Sequence, residues 1–97
     1  MQLAKVLGQV VSTVKDPGLA RFTLLLVQDA EDDDPEETSG TAYVAVDVVG
    51  AGVGEVVLVA TGGAARVAAG ADVPTDRAVV AIADTVIRSD TVRYRKA

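Results

Sequence analysis

Four sets of residues in this sequence have types and spacings that chemistry uses. Gly50-Ala51-Gly52-Val53-Gly54 is a glycine-rich run of the kind that lets backbone approach a phosphate. Gly62-Gly63-Ala64-Ala65-Arg66 places a glycine pair at the start of a short helix, where several N–H groups stand free. Asp47, Asp76 and Asp84 are carboxylates on separate segments, and two of them meeting would make an acid/base pair. Asp29, Glu31 and Asp33 alternate as calcium ligands do.

Each set also has a plainer reading, and the pattern favours it. A dinucleotide fingerprint needs G-x-G-x-x-G between a strand and a helix. Here the third glycine comes one residue early, and Glu55-Val56-Val57-Leu58-Val59 reads as strand. The run is then a tight connection between two strands, with no cofactor. In the acidic segment the sixth position is Asp34, where a calcium loop needs Gly. The twelfth is Gly40, where it needs Glu. No metal site is expected there, only a solvated loop over 29–40. Asp47 and Asp84 lie in apolar strands and should accept structural hydrogen bonds.

The residues that are missing exclude more. The chain has no His and no Cys. Ser-His-Asp and Cys-His nucleophile systems are absent, as are zinc ribbons, disulfides and thiol catalysis. No residue stands out as catalytic, and no enzyme is expected. The stretch from Met1 to Val11 lacks the charged and long apolar regions of a signal peptide. No apolar run nears the roughly 18 residues of a membrane span. A soluble cytoplasmic chain is expected, with no membrane partner.

The net charge of −5 is local: 7 of the 14 acidic residues fall between Asp29 and Glu37, and the remainder of the chain is net +2. The tail leans basic through Arg88, Arg93, Arg95 and Lys96.

The elements that must position these groups are mostly strands. Leu3–Ser12 and Arg21–Gln28 are rich in Val and Leu and flank Lys15-Asp16-Pro17-Gly18. There Pro presets φ at the first central position and Gly accepts positive φ at the second. The pair reads as a hairpin, with Leu25 and Val27 on one face and Phe22, Leu24 and Leu26 on the other. Thr41–Val49 and Glu55–Ala60 are further strands. Ala64–Ala69 is Ala-rich and suits one or two helical turns ending at Gly70. Ala78–Ile87 is a fifth strand, apolar on both faces except for Asp84 and Thr85 and so expected to be buried on both sides, and Thr91–Arg95 a short sixth.

Ninety-seven residues make one domain, 1–97. The expected fold is all-β: a small, partly closed five-stranded OB-like β-barrel, with one short helix before the last core strand and a short C-terminal extension. Apolar residues make up 49% of the chain, with only 3% aromatic. One small core cannot use that much, and strands apolar on both faces leave an unexplained surplus.

Taken in order, these segments resemble one family. Met1-Gln2-Leu3-Ala4-Lys5-Val6-Leu7-Gly8-Gln9-Val10-Val11-Ser12-Thr13 is similar to the start of the EutN/CcmL family. So are Leu24–Gln28, Asp47–Leu58, Gly62–Arg66, Pro74-Thr75-Asp76 and Ile82–Val86 to its later segments. Gly62-Gly63 stands where the family carries Gly-Ser, and Val73 where an Arg often precedes Pro-x-Asp. The family forms pentameric vertex proteins of bacterial microcompartment shells.

The resemblance implies a homopentamer at the five-fold vertices of a carboxysome or catabolic metabolosome shell, among hexameric and pseudohexameric shell proteins. It implies that Thr61, Gly62, Gly63, Ala64 and Arg66 line an axial pore. Asp47, Gly50, Gly52, Gly54, Glu55, Pro74 and Asp76 would lie at subunit or shell interfaces. The other reading of such a barrel is a single-stranded nucleic-acid-binding module. That mode needs aromatic platforms in a basic groove, and Phe22, Tyr43 and Tyr94 are the only aromatics.

Overall fold

The computed structural model describes all residues, 1–97. Five strands close a barrel in the order β1-β2-β3-β5-β4, with β4 pairing back to β1. They are β1 (Gln2–Val10), β2 (Leu24–Asp29), β3 (Tyr43–Asp47), β4 (Val56–Thr61) and β5 (Arg77–Ile82). All neighbours run antiparallel except β3 and β5, which are parallel. The helix α1 (Gly63–Ala69) makes the crossover from β4 to β5. A hairpin of β6 (Thr85–Arg88) and β7 (Thr91–Arg95) follows the barrel.

The alternating strands fill the barrel with small branched side chains. Ala4, Val6, Leu25, Val27, Ala45, Val57, Val59 and Val79 form its core. At Leu7 the register of β1 against β2 slips by one residue, so Val6 faces Val27 but Gly8 faces Leu26. Such a bulge bends the strand, which a barrel this small requires. A second cluster lies outside. Ala65 and Ala69 on the inner side of α1 pack with Val46, Val73 and Ala78, backed by Leu19, Phe22 and Leu24. Val73, which departs from the family's Arg, is buried here.

Three expectations change. The fifth strand does not run through to Ile87. β5 ends at Ile82, the Ala83 N–H bonds the Val56 carbonyl, and the Asp84 carbonyl accepts from Lys96 N–H. The chain thus leaves the barrel seam and pairs with β7, so Ile87 is exposed rather than buried. The second strand begins at Leu24 rather than Arg21, because Pro17–Leu19 form a 3-10 turn capped by Asp16. Gly18 in that turn does not take positive φ. It is small because a Cβ there would sit 2.8 Å from Cδ of Pro74.

The acidic loop is more ordered than a solvated run. Ala30 and Thr38 form a β-bridge, Pro35 is buried, and its acids reach other elements. Lys5 Nζ lies 2.7 Å from Glu36 Oε2, and Arg88 of β6 pairs with Asp33 and, at 3.7 Å, with Asp32.

The surplus is visible on the surface. Only 17 of the 97 residues are buried. Val44, Val48, Val49, Val53 and Val67 are all exposed in the isolated protomer.

Candidate functional site

Asp47 ends β3 and its carboxylate organises the turn that follows. Oδ1 accepts from the N–H of Val49 at 3.1 Å and of Gly50 at 3.0 Å, and Oδ2 from Ala51 at 3.0 Å. Glu55 closes the same turn by accepting from Gly52 N–H at 2.6 Å, and it pairs with Lys96 at 2.7 Å. Gly54 N–H bonds the Val6 carbonyl, and Val6 N–H bonds the Glu55 carbonyl. The Gly50–Gly54 run is therefore a tight connection between β3 and β4, as its spacing implied, and it is also pinned to β1.

The other carboxylates have separate neighbours. The Asp76 carbonyl accepts from Gly62 N–H at 2.8 Å, and its side chain lies 3.4 Å from Arg77. Asp84 is exposed at the strand break and, against expectation, its carboxylate accepts no structural hydrogen bond; only its backbone carbonyl does, from Lys96 N–H. Asp29 accepts from the Tyr43 hydroxyl at 2.7 Å, while Asp33 is held by Arg88, so the alternating acids of the loop do not converge. Burial, then the Asp29 carboxylate, pushes the Tyr43 phenol well above its ordinary range.

Gly62 turns the chain from β4 into α1 with φ 61 and ψ −133, a conformation available almost only to glycine. Ala65 and Ala69 face inward, which leaves Gly63, Ala64, Arg66, Val67 and Ala68 exposed on one face. Thr61, half-buried, leads into this face from the end of β4. The sequence-marked Thr61–Arg66 segment is thus an accessible surface of small residues beside one arginine. Pro74 lies against Gly18 and is exposed, next to the buried Val73. A Gly62→Ala variant should lose about 1–3 kcal/mol of stability. Gly63→Ala should gain a few tenths to about 1 kcal/mol, since a Cβ there meets nothing within 4 Å. Chemical denaturation of the two variants checks the contrast.

The family model described as ethanolamine utilisation protein EutN/carboxysome matches residues 1–84. The chain belongs to the EutN/CcmL family. It is 52% identical over 97 residues to the carboxysome shell vertex protein CcmL of Synechocystis, covering 99% of this chain and 95% of that one. A solved structure of the carboxysome subunit CcmL superposes with a TM-score of 0.90 at 49% identity, each chain fully covered. The GrpN pentameric microcompartment shell protein of Rhodospirillum rubrum matches with a TM-score of 0.80 at 42% identity, over 91% of this chain and 99% of that one.

Within this EutN/CcmL-family barrel, sequence reasoning missed two arginines. Arg77 stacks on Tyr43, with its guanidinium carbon 5.0 Å from the ring centroid, across 34 residues of sequence. Arg21 donates to the Ala69 carbonyl at 2.7 Å and so covers the C-terminal end of α1. Neither has a local signal, since both partners are distant in the chain.

The ties between hairpin and barrel predict a pH response. Hydrogen bonding from Arg88 holds the Asp33 carboxyl below the usual carboxylate range, and Lys96 followed by the Gly52 N–H does the same for Glu55. Depressed carboxylates stabilise the fold above their unfolded pKa, about 4, and that contribution is lost as pH falls through the lower folded value. Amide NMR shifts of β6 and β7 should therefore move as the pH falls below about 4. Replacing Arg88 by Gln should remove the Asp33 part of that response.

Proposed function

We propose that this chain is a structural vertex protein, a homopentamer that closes the five-fold corners of a bacterial microcompartment shell. The observation that carries the reading is the match of the whole barrel to relatives named as shell vertex proteins. One of them is titled pentameric. The physics agrees. A sheet of hexagonal tiles closes only with five-fold defects, and a head-to-tail contact closes a ring only at the right rotation. Permanent interfaces resemble a core cut in half. The exposed valines of this protomer, Val44, Val48, Val49, Val53 and Val67, supply such apolar surface.

In this reading five copies of Thr61, Gly62, Gly63, Ala64 and Arg66 surround the axis, with nothing bulkier than arginine to obstruct it. The turn carrying Asp47, Gly50, Gly52, Gly54 and Glu55, and the Pro74–Asp76 loop, face neighbouring subunits or hexameric and pseudohexameric tiles. A non-catalytic role agrees with relatives named as shell vertex proteins, and Asp47 and Glu55 serve structural hydrogen bonds here. Nucleic-acid binding is disfavoured because Tyr94 is buried and Phe22 and Tyr43 are half-buried, so no stacking platform is exposed.

Electron microscopy and permeability assays on shells assembled with and without this chain test the role. Open or leaky vertices without it are expected. Closed shells of unchanged permeability would contradict it.

A further inference from the structure

The C-terminal hairpin is held to the rest of the protomer by side chains. No backbone hydrogen bond joins residues 85–95 to the barrel or to a loop. The last one into the barrel runs from Ala83 N–H to the Val56 carbonyl, and Lys96 N–H closes the stem on Asp84. Tyr94 is the one buried residue of β6 and β7, and it shares a groove with Glu36, Val53, Gly54 and Glu55. Lys96 pairs with Glu55 at 2.7 Å, while Arg88 turns to Asp33 and Asp32. Ile87 and Val92, opposite each other across the hairpin, are exposed. A two-stranded hairpin is marginal in water by itself, so β6 and β7 depend on these few ties for their order.

The acidic loop is attached in the same manner. From Glu31 to Glu37 its backbone bonds are internal: Glu31 N–H to the Glu37 carbonyl, and Glu37 N–H to the Asp34 carbonyl. Its ionic links outward are Glu36 to Lys5 of β1, and Asp33 and Asp32 to Arg88. The Arg93 charge also acts on Asp33. Pro35 is buried, so the loop is packed rather than splayed into water. Two segments some 55 residues apart in sequence thus hold each other outside the hydrogen-bond ladder of the barrel.

We propose that the acidic loop and the C-terminal hairpin form one clasp, in which the loop is the receptor for the basic hairpin and the two open and close together against a barrel that stays folded. The inference does not depend on the pentameric reading. Arg88 is the pin, since it alone on the hairpin forms ion pairs with the loop. Single exposed ion pairs contribute little, but here they share one arginine and lie beside the buried Tyr94 and Pro35, so loosening one segment removes support from the other. The ties are solvent-exposed, and screening shortens their reach from about 30 Å at about 0.01 M salt to about 3 Å at about 1 M. Ionic strength therefore sets how tightly the clasp is shut.

Hydrogen exchange of the purified protein, read by mass spectrometry at about 0.01 M and about 1 M sodium chloride, tests this. In the wild type the amides of residues 30–38 and 85–95 should exchange faster together at high salt, by roughly 3- to 10-fold, while β1 to β5 keep their protection. Arg88→Gln should produce that rise already at low salt, in the distant loop as well as in the hairpin, and remove most of the salt response. An Asp32→Asn, Asp33→Asn double variant should loosen the hairpin in return. Arg95→Gln removes a hairpin arginine with no ionic partner and should behave as the wild type. Retained protection of the barrel strands shows that each variant is folded. Salt that leaves both segments unchanged would overturn the clasp. So would an Arg88→Gln protein that loosens the hairpin and not the loop, since the loop would then hold its shape without the hairpin.

Discussion

Replacing Val44 by aspartate is expected to leave the protomer folded and to take the ring apart. Val44 lies on β3 opposite Leu26 of β2, and 44% of it is exposed in the isolated chain. Its neighbours along the strand, Ala45 and Val46, are buried, so the barrel does not depend on the Val44 side chain for its core. A carboxylate there stays in water in the protomer, and the loss of β propensity is worth at most about 1 kcal/mol. On the proposal that the ring covers the outer face of β3, the same carboxylate is trapped between subunits without a partner. Removing one partner of a buried charge pair costs about 3–5 kcal/mol, and an uncompensated buried carboxylate is of that order. At about 1.4 kcal/mol per tenfold, each contact weakens by at least 100-fold. Thermal unfolding at low concentration and native mass spectrometry separate the two effects. A Val44→Asp chain that still forms the wild-type ring would remove the outer face of β3 from the interface.

The second large effect is expected at Asp47. Its carboxylate receives three backbone N–H groups, from Val49, Gly50 and Ala51. Asp47→Ala leaves those donors to water or to nothing and frees the turn that pins Gly54 and Glu55 to Val6. Hydrogen bonds to a charged acceptor contribute about 1.5–3 kcal/mol each, and the turn is partly exposed, so a total loss of about 2–4 kcal/mol is expected. For a domain of this size that lowers the melting temperature by about 10–20 °C. Asp47→Asn keeps one oxygen for two of the donors and presents an NH2 group to the third, so it should lose about half as much. A Tm within about 2 °C of wild type for Asp47→Ala would show that the turn holds itself without the carboxylate.

The sequence carried the barrel in its apolar runs and the helix in its alanines, and both were readable because their signals are local. β7 coincides with the expected Thr91–Arg95, and α1 differs from the expected helix by one residue. What was not readable depends on contacts between distant residues. The apolar run resumes at Val86 after Asp84 and Thr85, and only the positions of the Val56 carbonyl and the Lys96 amide decide that the strand breaks there. Pro35 looks like a loop breaker among acids, yet it is buried. Gly18 was expected to serve a positive φ and instead makes room for Pro74.

The candidate site divides in the same way. The hydrogen-bonding role of Asp47 followed from a carboxylate in an apolar strand. Arg77 had no such pattern, because its stacking partner is on another strand. The apolar surplus was measurable from composition, but its location needed the fold. Val44, Val49 and Val67 are exposed on β3, the following turn and α1.

The central claim is that these exposed surfaces are covered by further copies of the same chain, five to a ring. Native mass spectrometry of the purified wild-type protein tests it most directly. The account predicts one dominant species at five times the 9.9 kDa chain mass, persisting on dilution to micromolar concentration. A stable monomer under those conditions, or a closed ring of any other number, would contradict it.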